Sequence, residues 1–157
     1  MYRILIVDDE SIEREGISFL IEKYKLPLEV AQATNGKTAL EYMRTHPIDI
    51  LLTDVKMPQM DGLELARHTF EKYPDVRILV FSAYGEFEFA KKAMAAQAVS
   101  YLLKPIEVEE FRRVMTQILA QCDELAEKKK DEQQRGEEYR QQLLFRLVTG
   151  TGLGKAH

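Results

Sequence analysis

Asp49-Ile-Leu-Leu-Thr-Asp54-Val-Lys-Met-Pro58-Gln-Met-Asp61-Gly62 decides how the rest of the chain reads. A short apolar run bounded by polar residues has the signature of a strand buried on both faces, and it delivers the Asp54 carboxylate to the strand's end, where the chain leaves the sheet. Pro58 fixes φ and the Asp61-Gly62 pair suits a tight turn, so the following loop is expected to be stiff. A carboxylate under a stiff loop marks Asp54 as the reactive group.

Working outward toward the N-terminus, Tyr2–Val7 is rich in β-branched residues and stops abruptly at Asp8-Asp9-Glu10, a second strand end carrying acids. Residues 11–25 place Ile12, Gly16, Phe19, Leu20 and Lys23 at helical spacing, with Ser11 and Glu13 near the start and Pro27 just beyond. Leu28–Ala33 reads as a strand, and residues 36–46 as a helix with Ala39, Leu40 and Met43 on one face.

Toward the C-terminus, residues 63–73 give a helical stripe of Leu63, Leu65, Ala66 and Phe70, closed by Pro74. Residues 76–81 form an apolar strand that hands over to Ser82-Ala83, and residues 86–96 are helical. Phe87 and Phe89 stand roughly 200° apart around a helix, so one of them is expected at a partner surface. Residues 99–103 make a last strand ending at Lys104-Pro105, and a helix begins near Glu107 with Glu109 and Glu110 in its first turn. Five strands alternate with five helices. Uniformly apolar strands in that alternation predict an α/β fold, a parallel sheet with helices on both faces, whose ligands bind beyond the carboxyl ends of the strands. Asp8, Asp9, Asp54, Ser82 and Lys104 each follow an apolar run and are predicted to converge there.

The bulk properties fit this frame. With 157 residues, 45% of them hydrophobic, the chain can bury one core and has length to spare. A net charge of -4 gives no general attraction to nucleic acid or anionic lipid. A single cysteine, Cys122, cannot close an internal disulfide, and the absence of a leader or a membrane-length apolar run favours a cytoplasmic address with no membrane partner.

Carboxylates gathered at one point repel, and keeping them ionised at neutral pH calls for a cation. Oxygen donors without a nearby His or Cys favour Mg²⁺ or Mn²⁺ over zinc. Lys104 offers a positive charge to a phosphoryl oxygen, the Ser82 hydroxyl can donate to another, and Asp54 is left as the nucleophile that accepts phosphorus.

Asp8-Asp9 after the first strand, Asp54 with Val-Lys-Met-Pro-Gln-Met-Asp-Gly after the third, Ser82-Ala83 after the fourth and Tyr101…Lys104-Pro105 at the fifth together resemble the receiver domain of two-component response regulators. The resemblance implies a flavodoxin-like (βα)5 doubly wound sheet in the order 2-1-3-4-5 with an extended C-terminal helix. It implies that Asp54 is the phospho-acceptor for a sensor histidine kinase, that Asp9, Asp54 and the Lys56 backbone carbonyl bind Mg²⁺, and that Asp8 assists. It assigns Ser82 and Tyr101 to a switch, makes Lys104-Pro105 a cis peptide, and gives Lys56 and Tyr84 a part in the lifetime of the phosphoryl group. Such a protein is a signalling switch, not an enzyme with a turnover substrate. Its fourth-helix, fifth-strand, fifth-helix face, with Phe87, Phe89 and Tyr101, would control homodimerisation. The wording Phe81-Ser-Ala-Tyr-Gly-Glu-Phe-Glu-Phe-Ala-Lys-Lys-Ala is similar to receivers with an AraC-type helix-turn-helix output, which bind DNA through a segment absent from this sequence.

Two other classes compete. Haloacid-dehalogenase-like phosphatases also use an aspartate nucleophile, but they carry a general-acid aspartate two residues later, where this chain has Lys56. A nucleotide- or flavin-binding module on a similar sheet needs a Gly-rich loop after the first strand, and none is present.

Beyond the receiver, expected at 1–123, the residues Phe111, Met115, Ile118, Cys122 and Leu125 continue a heptad-like seam that is expected to carry the helix off the domain. Lys129, Glu132 and Gly136 interrupt it before Tyr139, Leu143, Leu144 and Leu147 restore an apolar face, so a coiled coil and a polar break between two helices stay open. Residues 124–149 read as a helical linker toward an output domain, and 150–157 as a flexible tail.

Overall fold

The computed structural model describes residues 1–95 and 99–150. Strands β1 (Tyr2–Val7), β2 (Leu28–Ala33), β3 (Ile50–Asp54), β4 (Arg77–Ala83) and β5 (Val99–Lys104) alternate with helices α1 (Ser11–Lys23), α2 (Gly36–Thr45), α3 (Gly62–Lys72), α4 (Tyr84–Ala93) and α5 (Val108–Thr149). All strand pairs are parallel, in the order β2-β1-β3-β4-β5. The chain leaves β1 first toward β2 and then returns to the other side for β3, which puts the reversal of strand order, where such sheets bind ligands, between β1 and β3.

The central strands are apolar because both faces are covered. Ile50, Leu51 and Leu52 are wholly buried, as are Ile4, Leu5, Ile6 and Val7. One face packs Ile4, Ile6, Leu52, Leu79 and Phe81 against Ile17 and Ile21 of α1 and Phe111, Met115 and Ile118 of α5. On the other, Leu5, Val7 and Leu51 meet Ala39 and Met43 of α2, while Ile78 and Val80 meet Ala90 and Met94. Burying each such Leu or Ile contributes about 1.5–3 kcal/mol against the entropy of ordering the chain.

Local chemistry fixes the helix starts. Asn35 caps α2 by accepting from the Thr38 N–H at 2.8 Å, and Asp61 caps α3 by accepting from the Glu64 N–H at 2.8 Å. Asp61 is therefore a cap rather than only a turn residue.

Several boundaries and faces differ from the sequence expectation. Helix α1 stops at Lys23, and Lys25 takes a left-handed φ of 50°. Its core face is Ile17 and Ile21, whereas Ile12 and Phe19, which mark the expected stripe, lie on the solvent side. In α3, Phe70 is exposed and Thr69 is buried in its stead, its hydroxyl donating to the Leu65 carbonyl at 2.8 Å. Strand β4 runs on through Ser82 and Ala83, and α4 begins at Tyr84. The polar stretch around Lys128–Lys130 and Gly136 does not break α5, which is helical from Val108 to Thr149.

The chain divides into two compact units after Cys122. In the first, α5 buries Phe111, Val114, Met115, Ile118 and Cys122. In the second, Tyr139, Leu144, Phe145, Leu147 and Val148 are exposed. Among the described residues no helix is long and apolar enough to cross a membrane. Apart from Gly150, the expected flexible tail at 150–157 lies outside the described residues, and so does the Tyr84 side chain.

Candidate functional site

Strand register builds the site. Val7 pairs with Thr53, so Asp8 and Asp54 come next on neighbouring strands at the β1/β3 switch point. Asp54 pairs with Phe81, Ser82 with Leu103 and Ala83 with Lys104, which brings Ser82 and Lys104 to the same edge from the other side. Residues dozens of positions apart therefore meet because each ends, or nearly ends, a strand.

The carboxylates of Asp8, Asp9 and Asp54 each place an oxygen within 4.8 Å of the others. Asp8 and Asp54 are buried and Asp9 is exposed. The Lys104 Nζ lies 3.3 Å from Asp54 Oδ2 and 3.4 Å from Asp8 Oδ2, and 4.5 Å from the centre of the Phe81 ring. The Lys104–Pro105 peptide is cis. The Asp54 Oδ1 accepts from the Val55 N–H at 2.8 Å, and Asp8 Oδ1 accepts from the Glu10 N–H at 2.8 Å.

Burial pushes the Asp54 carboxyl above the ordinary carboxylate range, and the Lys104 ammonium and the Val55 and Lys56 N–H groups pull back without cancelling the rise. Burial raises Asp8 in the same way, with the Glu10 N–H and Lys104 opposing and the Asp54 charge adding. Burial on its own would lower Lys104, but the Asp54 and Asp8 charges outweigh it and hold the ammonium above its usual value. Three carboxylates against one ammonium leave the cluster short of positive charge when all are ionised. A hard divalent cation with oxygen ligands matches both that deficit and the donor set.

On the β4/β5 side, Ser82 is 1% exposed and its Oγ has no hydrogen-bond partner among the described residues. Tyr101 is half-buried, its hydroxyl pushed up by burial, and meets the Phe87 ring edge-on with centroids 6.1 Å apart. Phe89 is 65% exposed, so of the two phenylalanines it is the one that faces solvent. The Lys56 side chain is exposed and its Nζ stands 4.0 Å from Glu86.

The loop over Asp54 is fixed by features that composition does not announce. A Cβ on Gly62 would sit 1.8 Å from the Asp54 carbonyl oxygen, and the Gly62 N–H donates to the Val55 carbonyl at 2.8 Å. Gly62 is glycine because the helix start touches the Asp54 backbone. Gln59 takes a φ of 68°, and Met60 lies directly against Gly36 of α2. The Thr53 hydroxyl donates to the Asp54 carbonyl at 2.9 Å. Arg14 and Gln32, which join beside Asp8, belong to no local motif and are visible only once α1 and β2 are packed.

Residues 4–116 match the family model described as the response regulator receiver domain. The chain is 40% identical over 122 residues to YesN of Bacillus subtilis (strain 168), described as an uncharacterized transcriptional regulatory protein, covering 77% of this chain and 33% of that one. It is 32% identical over 117 residues to the Staphylococcus epidermidis response regulatory protein SERP2406, 73% of this chain and 45% of that one. The chain thus spans less than half the length of these two relatives. Among solved structures, a two-component transcriptional regulator AraC from Clostridium phytofermentans ISDg matches with a TM-score of 0.73 at 36% identity, over 79% of this chain and 97% of that one. The REC domain of AraT, a response regulator from Geobacillus stearothermophilus, matches at 0.70 and 37%, over 82% and 98%.

Proposed function

Because the chain belongs to the response regulator receiver family, we propose that it takes a phosphoryl group onto Asp54 from a sensor histidine kinase and passes the change on through its α4-β5-α5 face. The observation that carries this reading is the meeting of Asp54, Asp8 and Lys104 within ion-pair distance beside Asp9.

The Asp54 carboxylate attacks phosphorus, an O–P bond forms, and the bond to the donor's imidazole nitrogen breaks, leaving the electron pair on that nitrogen. Lys104 then faces a phosphoryl oxygen in place of the carboxylate it now pairs with, and the Ser82 hydroxyl gains an acceptor. Asp9, Asp54 and the Lys56 carbonyl would hold Mg²⁺ or Mn²⁺, with Asp8 assisting. When bound, that ion offsets charge on the transferred group.

Tyr101 and Phe87 would re-pack as Ser82 turns toward the phosphoryl group, and exposed Phe89 supplies apolar surface for a homodimer. Residues 124–149 would be the linker. The output is read as transcriptional on the strength of the YesN likeness, with DNA contacted by sequence outside this chain, in the cytoplasm.

Incubation with Mg²⁺ and a small acyl phosphate tests the acceptor: one phosphoryl group per chain is expected, none on Asp54→Ala, and equal labelling of that variant rejects the reading. Light scattering with and without a beryllium fluoride mimic tests the face. A doubling of mass is expected, reduced by Phe89→Ser, and constant mass across a wide concentration range counts against dimerisation.

A further inference from the structure

The two acids at the end of β1 are held in unlike ways. Both oxygens of Asp8 are engaged, by the Glu10 N–H and by Lys104. The Asp9 carboxylate is exposed and accepts no hydrogen bond among the described residues, yet it belongs to the cluster within 4.8 Å. Its position is therefore set by its backbone, through the Asp8–Asp9 peptide.

That peptide is clamped. Its carbonyl, that of Asp8, accepts from Arg14 Nη1 at 2.6 Å, and the peptide before it is tied to β2 by the Asp8 N–H donating to the Ala33 carbonyl at 3.3 Å. Arg14 is half-buried in the first turn of α1, and its Nε donates to Gln32 Oε1, again on β2, at 3.0 Å. The Gln32 amide in turn donates to the Ser18 hydroxyl of α1 at 3.4 Å. A planar guanidinium is suited to this double task, because its donors lie in one fixed fork.

We propose that Arg14, oriented by Gln32, is a positioning residue that fixes the Asp8–Asp9 peptide and so presets the Asp9 carboxylate for the cation. The inference rests on the reading of the acid cluster as a magnesium site. Groups that orient metal ligands typically matter by 10–100-fold in affinity. Plain electrostatics predicts the opposite sign. Arg14 is a positive charge beside an acidic cluster, so deleting it would strengthen the attraction for a divalent ion if charge alone mattered.

The test is calorimetric titration of the full chain with magnesium chloride, alongside urea unfolding in chelator. Arg14→Met keeps the aliphatic stem and removes the fork. Its Kd for Mg²⁺ is expected to rise about tenfold. Gln32→Met should give a smaller rise in the same direction, and Arg14→Lys should fail to restore the affinity. Arg67→Met, on the exposed side of α3, should leave it unchanged. An Arg14→Met protein that folds and binds Mg²⁺ as tightly as the parent, or more tightly, overturns the inference, even if its urea midpoint falls. Should Arg14→Met not fold, Gln32→Met decides by the same criterion. A parent chain that binds no Mg²⁺ takes down the magnesium reading and the inference with it, whereas normal parent binding with unaltered variants sinks the inference alone.

Discussion

On the β1/β3 side of the site, Asp8 and Asp54 each have both carboxylate oxygens engaged, and Gly62 closes the loop after β3 against the Asp54 carbonyl. On the β4/β5 side, Ser82 Oγ is buried without a partner among the described residues, and Phe87 and Tyr101 touch edge-on while both remain half-buried. The first side holds its groups already placed, the condition under which developing charge is met without rearrangement. The second is under-satisfied, and groups with a hydrogen bond or buried area still to gain can take up a second arrangement at small cost.

The comparison breaks most sharply at Gly62. Gly62→Ala drives a Cβ into backbone that cannot swing aside, so a loss of about 3 kcal/mol or more is expected in urea unfolding, together with loss of Asp54 labelling. Retained stability and labelling would show that the loop after β3 has slack after all.

The pH dependence comes next. The Asp8 and Asp54 carboxyls lie above their ordinary values in the folded chain, so their contribution to stability is present below the ordinary carboxylate pKa and is lost as pH rises through the raised folded values. In chelator, thermal stability should therefore decline across that window as pH climbs, and Asp54→Asn should flatten the decline. A stability that climbs with pH there would mean that Lys104 outweighs burial.

The smallest effect belongs to Ser82. Removing a buried hydroxyl that has no partner is expected to raise stability by about 1 kcal/mol, so Ser82→Ala should melt slightly higher than the parent. It should still accept phosphate on Asp54 while losing the mass response to beryllium fluoride. A clear fall in stability would place Ser82 with the satisfied side instead.

The sheet was legible because each central strand is an apolar run with a charged or polar residue at its end. Asp8, Asp54 and Lys104 were found from that position alone, and their meeting needed only a parallel sheet. The faces of α1 were not legible. Ile12, Gly16, Phe19, Leu20 and Lys23 share one helical spacing, Leu20 also falls in register with Ile17 and Ile21, and periodicity does not say which stripe turns inward. Ser82 looked like the end of a strand because a hydroxyl breaks the apolar run, although the hydrogen-bonded ladder continues through Ala83. The reason for Gly62 and the reach of Arg14 to Asp8 depend on distances between segments far apart in sequence, which no local pattern encodes.

Helix α5 carries one further consequence. Its turns from Phe111 to Cys122 are sealed by buried side chains, while those around Lys128–Lys130 and at Tyr139–Val148 bury no side chain. Helical turns with nothing to lean on are marginal in water, and amides open to solvent with the free energy of their own surroundings rather than that of the whole element. One helix should then keep two clocks, with deuterium entering the distal turns long before it reaches Met115 and Ile118.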